Sequence, residues 1–190
     1  MEADWEVEVG DGAPVIVADW PGFVDLRTAP EAANGLMEVG RLPALAEALA
    51  RLNAAESPVW TSKCDVWPLD TFDADELDAP AESAHEAMGS YIDLLPKGGG
   101  QWSRPELVAE WCRNVSACIK DFPLRCCRVD LVVRGALIDI ETPGYGVSAY
   151  LSAAGSDAAE ASRVLSTAMF AFADSVVRIR PAAAAAAKLQ

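Results

Sequence analysis

The sequence predicts an α+β fold in which a mainly antiparallel sheet carries helices on one face, and two observations carry this prediction. The first is the strict alternation of apolar and polar residues between Cys126 and Ser152, which is the pattern of half-buried strands. The second is a set of apolar stripes at helical spacing, over residues 43–54, over 104–120 and after Asp157. A sheet and helices with one apolar side each bury it by packing together.

The strands follow from the period-2 pattern. The clearest hairpin has its turn at Pro143-Gly144, with apolar positions Val129, Leu131, Val133, Val147, Ala149 and Leu151 and intervening positions Arg128, Asp130, Val132, Arg134, Ser148, Tyr150 and Ser152. Two further strands are predicted over residues 58–68 and 89–95. An N-terminal hairpin is predicted from strands at 4–9 and 14–20, since Gly10-Asp11-Gly12 has the composition of a turn.

The helices have recognisable beginnings. Pro43 stands in the first turn of the first helix, where its missing N–H costs little. Ser103 with Glu106 and Asp157 with Glu160 have the spacing of a capping box, which predicts the starts of the other two helices.

Length and composition predict one domain over residues 1–178. It would consist of an N-terminal hairpin extension (1–42), a first unit (43–120) and a second unit (121–178). The acidic stretch from Asp70 to Met88 is predicted to be mainly a surface loop. Residues 179–190, with their run of six alanines, are expected to be a disordered tail or a cloning remnant.

An internal duplication is also predicted. Gly89-Ser-Tyr-Ile-Asp-Leu-Leu-Pro matches Gly146-Val-Ser-Ala-Tyr-Leu-Ser-Ala, and Lys63-Cys-Asp-Val matches Arg128-Val-Asp-Leu. Residues 59–120 and 126–177 would then be two copies of a strand–strand–helix unit that lie edge to edge. The order of elements is, by analogy, a circular permutation of the ferredoxin-like topology, which implies no function.

The charge is distributed unevenly along the chain. Residues 1–95 contain 20 acidic and 4 basic side chains, whereas residues 96–190 contain 9 and 11. A phosphate backbone would be repelled by the first half, so nucleic-acid binding is not expected, while a basic protein partner is allowed. The first residues show no secretory signal, the apolar runs are too short to span a bilayer, and the five cysteines include no CxxC. These features predict reduced thiols and a cytoplasmic location.

The sheet face away from the helices is the candidate site. Polar and aromatic residues fall there by alternation, and the candidate ligand-binding residues are Lys63, Asp65, Trp67, Tyr91, Asp93, Arg128, Asp130, Arg134 and Tyr150, joined by Thr61 and Ser148. If Asp65 and Asp130 lie close together, one pKa should rise and an acid/base pair would result. A roof of Trp5, Trp20 and Trp67 would turn this face into a groove. The alternative is a solvated face with weak ion pairs.

Other candidate chemistry is weaker. Pro96-Lys97-Gly98-Gly99-Gly100 precedes a helix, where N–H groups could hold an anion, but it lacks the P-loop spacing, and the alternative is a mobile loop. His85 is the single histidine, which we expect to be exposed, and it excludes zinc sites built from several histidines. We therefore expect no metal and no cofactor.

No catalytic constellation is recognisable, so the leading hypothesis is a non-enzymatic module that binds a small polar ligand or a basic protein. The first alternative is a small enzyme with an acid/base pair drawn from Asp65, Asp93 and Asp130. The second is an acidic antidote to a basic toxin protein, which rests on charge alone. The sequence does not indicate an oligomeric state.

Overall fold

A computed structural model describes residues 1–10, 12–18, 20–98, 102–138 and 142–181. The fold is α+β, as predicted, with six strands and five helices in the described residues. The strands are β1 (Glu2–Glu8), β2 (Ile16–Val17), β3 (Val59–Pro68), β4 (Glu86–Pro96), β5 (Cys127–Ile138) and β6 (Thr142–Gly155). The helices are a 3-10 helix (Pro30–Gly35), α1 (Met37–Arg41), α2 (Ala44–Asn53), α3 (Pro105–Lys120) and α4 (Ala158–Arg178). The alanine run of the tail lies outside the described residues.

The sheet is mixed and open, with strand order β1-β5-β6-β4-β3. The β3–β4, β4–β6 and β5–β6 pairs are antiparallel, which confirms the antiparallel-rich prediction. The predicted N-terminal hairpin is wrong. Both β1 and β2 pair in parallel with β5, β1 beside Arg128 to Arg134 and β2 beside Ala136 and Leu137, so the two strands follow one another along one edge.

The helices α2, α3 and α4 cover one face of the sheet. Val129, Leu131, Val133, Ala149 and Leu151 are fully buried there, as predicted, against side chains such as Leu49, Trp111 and Phe172. We call this cluster the helix-side core. Each buried valine or leucine side chain contributes about 1.5–3 kcal/mol through the apolar surface it removes from water, and this burial fixes which face of β1, β3, β4, β5 and β6 is turned toward the helices.

The two predicted helix caps have different outcomes. The Asp157 carboxylate accepts a hydrogen bond from the Glu160 backbone N–H at 2.8 Å, which confirms the cap of α4. The Ser103–Glu106 cap of α3 is wrong, because Arg104 occupies the cap position and makes no side-chain cap hydrogen bond. Pro105 fixes the first helical residue one position later than the box requires.

The turn predicted at Pro143-Gly144 is also wrong. Both residues lie within β6, opposite Leu137 and Ala136, so β5 and β6 are joined by residues 139–141, which are outside the described residues. The pairing of β6 with β4 ends at Val147. Pro143 is therefore beyond the part of β6 that has two neighbours, where a missing N–H is tolerated.

A segment that we call the strap, residues 16–18 and 20–26, crosses the other face of the sheet. At one end, Ile16 packs with Leu95 and Ala136, and in the middle the Ser62 hydroxyl donates a hydrogen bond to the Val17 carbonyl at 2.8 Å. At the other end, Leu26 joins the helix-side core. The strap therefore covers one end of this face and leaves the rest open.

The remaining features are local. All five cysteines are free thiols, and Cys127 is fully buried. Residues 69–85 contain turns but no helix or strand, as predicted for most of the loop from Asp70 to Met88, whereas Glu86 to Met88 belong to β4. No helix among the described residues combines the length and apolarity needed to cross a membrane.

Candidate functional site

The sheet face opposite α2, α3 and α4, which we call the open face, holds nearly all the predicted site residues. The strand register places them there because they alternate along their strands with residues of the helix-side core. The site residues on the open face are Asp65, Trp67, Tyr91, Asp93, Arg128, Asp130, Arg134 and Tyr150. The alternation in the sequence therefore predicted the correct face for these side chains.

One row of residues crosses four strands at the centre of this face. Asp65 on β3 is paired with Tyr91 on β4, Tyr91 with Tyr150 on β6, and Tyr150 with Asp130 on β5. The two tyrosine rings have centroids 6.2 Å apart, and the Trp67 ring lies 6.2 Å from that of Tyr91. The result is an aromatic surface with a carboxylate at each end, which we call the Asp–Tyr–Tyr–Asp row.

The predicted carboxylate pair of Asp65 and Asp130 is wrong. Three strand spacings separate the two residues, or about 14 Å, because β4 and β6 lie between β3 and β5. Each carboxylate has its own cation instead. Asp65 is paired with Arg41 of α1 at 3.4 Å, and Asp130 accepts hydrogen bonds from Arg128 Nε at 2.8 Å. The hydrogen bonds with Asp130 raise the pKa of Arg128.

A bulge in β3 changes the placement of two predicted residues. The register shifts between Thr61 and Cys64, so the alternation does not continue across Ser62 and Lys63. Thr61 is buried on the helix side, where its hydroxyl accepts a hydrogen bond from the Asn53 amide of α2 at 2.8 Å. Its predicted place on the open face is therefore wrong. Lys63 lies in the bulge, with its ammonium 5.8 Å from the centre of the Trp20 ring.

The predicted tryptophan roof is present only in part. Trp20, in the strap, lies over Lys63. Trp5 packs against the helix-side core and has the Arg113 guanidinium 5.2 Å from its ring centre, so it lies on the wrong face for a roof. Trp67 belongs to the sheet itself, beside Tyr91. The open face is consequently covered at one end by the strap, and the three tryptophans do not form a roof over it.

Asp93 differs from the other carboxylates because it is only 5% exposed. The Ser148 hydroxyl donates a hydrogen bond to its Oδ1 at 2.6 Å. Burial raises the pKa of the Asp93 carboxyl, while the Ser148 hydrogen bond and the charges of Lys63 and Arg134 oppose that rise. Burial, with the charges of Asp93 and Asp65, also raises the pKa of Tyr91 to about 12. Asp93 is thus an enclosed carboxyl with a raised pKa, paired with Ser148 next to the Tyr91–Tyr150 pair on the same face.

The sequence analysis missed a row of acidic residues on β1. In the parallel register Asp4 lies beside Asp130 and Glu8 beside Arg134, so the even-numbered residues of β1 face the open side: Glu2, Asp4, Glu6 and Glu8. All four are exposed. Glu8 is paired with Arg134 at 2.9 Å, and Asp4 lies 4.0 Å from Arg128. Their alternation with Ala3, Trp5 and Val7 was visible, but the parallel partner strand was not.

Comparisons with known proteins gave no match. No protein-family model matches this chain, and neither a curated protein nor a solved structure matches it. The geometry of the open face is therefore the basis for inferring a function.

The other candidate sites give no chemistry of their own. The Lys97 ammonium donates hydrogen bonds to the carbonyls of Asn53 and Ala54 at the end of α2, and burial lowers its pKa. Gly99 and Gly100 of the predicted anion loop lie outside the described residues. His85 is exposed. Within the described residues no group of histidine, cysteine, aspartate and glutamate has a geometry suited to a metal ion.

Proposed function

We propose that this chain is a binding module whose open face takes a cationic segment of a partner protein. The observation that carries the proposal is the Asp–Tyr–Tyr–Asp row, in which two half-buried carboxylates flank two adjacent tyrosine rings. A basic toxin protein is one partner of this chemical kind. A small polar cation is another possible ligand of the same surface.

Aromatic rings and carboxylates together favour guanidinium and ammonium groups. A cation placed over a tyrosine ring gains about 0.5–1 kcal/mol at an exposed site, and a neighbouring carboxylate adds a charge-assisted hydrogen bond. Tyr91 and Tyr150 are half-buried, and the guanidinium of Arg134 lies 6.0 Å from the centre of the Tyr150 ring, so a cation contacts this ring within the chain itself. An arginine or lysine of the partner would lie over a ring and point its charge toward Asp65 or Asp130.

The charge of the surrounding surface supports a basic partner. Glu2 and Glu6 take part in none of the ion pairs among the described residues. The chain as a whole has a formal net charge of −14. A surface with excess negative charge attracts positively charged partners and accelerates their association at low salt.

We also propose that the row arose by internal duplication, in the permuted ferredoxin-like order predicted from the sequence. Two features support this idea. Each hairpin is followed by a helix on the same face, and the antiparallel β4–β6 pair lies at the centre of the β5-β6-β4-β3 order. An approximate twofold axis between Tyr91 and Tyr150 would then relate Asp65–Tyr91 to Asp130–Tyr150, and each half could receive one cation.

The proposal is tested by titrating the protein with a short arginine-rich peptide and following amide chemical shifts. We expect saturable shifts centred on Tyr91 and Tyr150, with an affinity that falls as salt is added. The double variant Asp4→Asn, Glu6→Gln should bind the peptide about tenfold more weakly, because two exposed ion pairs with the peptide would contribute about 1–2 kcal/mol together.

A matched control keeps the same loss of charge but moves it away from the open face. The pair Asp73→Asn and Asp75→Asn removes two carboxylates from the exposed loop before β4. This control should change the affinity by less than about twofold, since distant exposed charges are screened. Equal losses in the two double variants, or shifts that do not include Tyr91 and Tyr150, would contradict the proposal.

A second candidate function rests on Asp93. Its burial, its raised pKa and its hydrogen bond with Ser148 are features of carboxyls that exchange protons in small enzymes. Asp65 and Asp130 are too far apart to act as a pair, so Asp93 would act with Tyr91 or Lys63. A screen for turnover of esters, amides and phosphate esters tests this alternative. Activity that disappears in Asp93→Asn but persists in Asp73→Asn would support it, and absence of turnover would count against it.

A further inference from the structure

A cavity of about 440 Å³ lies at the free edge of β3, beside the Asp–Tyr–Tyr–Asp row, from which Tyr91 contributes to its lining. Its walls come from the strap, from α1 and α2, from β3 and, through Tyr91, from β4. The lining residues that matter are Trp20, Leu26, Leu36, Glu38, Leu49 and Lys63. The volume is within the range of small-molecule sites, at its lower end.

The bulge in β3 explains why the space exists. β3 is the last strand of the sheet, and its register shifts between Thr61 and Cys64. The strap runs past this edge and contacts it through a side-chain hydrogen bond from Ser62 to the Val17 carbonyl. A side-chain contact of this kind closes the edge less completely than a paired strand would, and bulges commonly occur beside binding sites.

One side of the cavity is aliphatic. Leu26 and Leu49 are nearly fully buried, at 4% and 1% exposure, and both belong to the helix-side core. Leu36 packs against the same core and is half-buried. These side chains offer a preformed surface for a hydrocarbon chain, since they are already held in place by α2 and the sheet.

The other side of the cavity offers hydrogen-bond donors without acceptors. The indole N–H of Trp20 is buried and has no hydrogen-bond partner among the described residues. Lys63 enters none of the ion pairs found in the described part of the chain. Its ammonium lies 5.8 Å from the centre of the Trp20 ring, so both donors are at one end of the cavity. An unsatisfied buried donor is costly, and an anionic acceptor would satisfy both groups.

Glu38 limits the charge of such a ligand. Its carboxylate also lines the cavity, and it contributes to the raised pKa of the Cys64 thiol, about 12, after burial as the main cause. Asp93 is close enough to Lys63 to respond to its charge. A dianion would be repelled by these carboxylates, whereas a single carboxylate can lie against Lys63 and Trp20.

We propose that this cavity binds a small monocarboxylate with an aliphatic chain, its head at Lys63 and Trp20 and its chain along Leu26, Leu36 and Leu49. The proposal does not depend on the binding of a basic partner to the open face. It assigns a ligand class to a cavity that adjoins the Asp–Tyr–Tyr–Asp row at Tyr91.

Calorimetric titration with sodium octanoate tests the assignment, with octan-1-ol and octylamine as probes of the same chain length. We expect octanoate to bind at one site with a dissociation constant on the order of 1 mM or below, as about ten non-hydrogen atoms allow. The alcohol and the amine should bind at least about tenfold more weakly, since neither places a negative charge at Lys63.

Two variants locate the head of the ligand. Lys63→Met keeps an unbranched chain but removes the charge, and should weaken octanoate about tenfold while leaving octan-1-ol unchanged. Lys120→Met, an exposed lysine of α3, is the matched control and should leave both affinities unchanged. Trp20→Phe keeps the ring, removes the N–H, and should weaken octanoate alone.

Three results would overturn the assignment. The first is the absence of saturable octanoate binding up to about 10 mM, a concentration well above the expected dissociation constant. The second is equal affinity for octanoate and octan-1-ol. The third is an equal effect of Lys63→Met and Lys120→Met on octanoate binding. Tyr91 lies at both sites, but the test with the arginine-rich peptide changes Asp4 and Glu6 of β1, which do not line the cavity. The two proposals can therefore fail independently.

Discussion

Asp93 illustrates how burial rather than sequence pattern sets the chemistry of a residue. Its position on the open face follows from alternation with Ile92 and Leu94, which are fully buried on the helix side. Its burial comes from neighbours that are distant in the chain, because Ser148 lies on β6 and the charges that act on it belong to Lys63 and Arg134. Alternation predicted the face, and only the fold reveals that this carboxyl is enclosed.

We predict that Asp93→Asn makes the protein more stable at neutral pH. Because burial raises the folded-state pKa of Asp93, the unfolded chain releases this proton first as the pH rises from about 4. Stability is therefore lost between the unfolded and folded pKa values, and the loss is complete above both. Asparagine still accepts the Ser148 hydrogen bond without the charge. Urea unfolding should show a gain on the order of 1 kcal/mol at pH 7.

The same comparison at low pH provides the control. Below the unfolded pKa of about 3.9, both states are protonated, and the advantage of Asp93→Asn should disappear. Asp73→Asn, at an exposed site, accounts for the general effect of removing one negative charge. A neutral-pH stability for Asp93→Asn below that of the wild-type chain would show that the Asp93 charge is favourably paired.

Single residues also show where the sequence prediction failed. Thr61 and Asp65 are four positions apart, so a regular strand would place both on one face. The bulge between Thr61 and Cys64 puts Thr61 against Asn53 of α2 and leaves Asp65 on the open face. A bulge depends on how the two strands fit and on the contacts of Asn53, and neither is encoded in the alternation of the strand itself.

At the scale of elements, the strap is the feature that the sequence did not predict. The sequence pattern of residues 14–20 predicts a strand, and two residues of this segment, Ile16 and Val17, do pair with β5. The chain then leaves the sheet edge and crosses the open face, because Ile16 and Ala18 are buried against Trp60 and Leu95 rather than in the helix-side core. The strap therefore determines how much of the open face remains accessible.

A substitution at Gly146 tests the contact between the strap and β6. A Cβ at this position would lie 2.8 Å from Ile16 Cδ1 and 2.9 Å from the Leu94 carbonyl oxygen. Since one neighbour is backbone, Gly146→Ala should force a shift that costs about 1–3 kcal/mol. Denaturant unfolding measures this loss. Gly40→Ala is the matched control because a Cβ there meets nothing within 4 Å, and it should cause no loss. Equal stability of the two variants would show that Ile16 of the strap does not pack closely against Gly146.

Helices were easier to predict than strand partners. The apolar stripes identified α2, α3 and α4 because a helix is formed by local contacts whose period is visible in one segment. β1 pairs with a strand more than 120 residues away, at Arg128 to Arg134. Parallel pairing of this kind depends on which edge of the sheet remains free after the hairpins form. The local sequence of β1 does not indicate which edge that is.

At the scale of the whole molecule, the strand order determines which charges meet. The prediction of two adjacent hairpins was compatible with several strand orders. The acid/base pair of Asp65 and Asp130 was conditional on their lying close together, which an order with β3 beside β5 would allow. The observed order puts β4 and β6 at the centre, so the tyrosines meet and the aspartates are at the ends of the row. The proposed binding of a cationic partner follows from this arrangement.

The central claim is that helices cover one face of the sheet while Tyr91 and Tyr150 lie side by side on the other. Aromatic nuclear Overhauser effects in solution test it most directly. We predict cross-peaks between the rings of Tyr91 and Tyr150 and between those of Tyr91 and Trp67, whose centroids are 6.2 Å apart in each pair. Cross-peaks from either tyrosine to the methyl groups of Val115 in α3 or Leu165 in α4 would contradict the account.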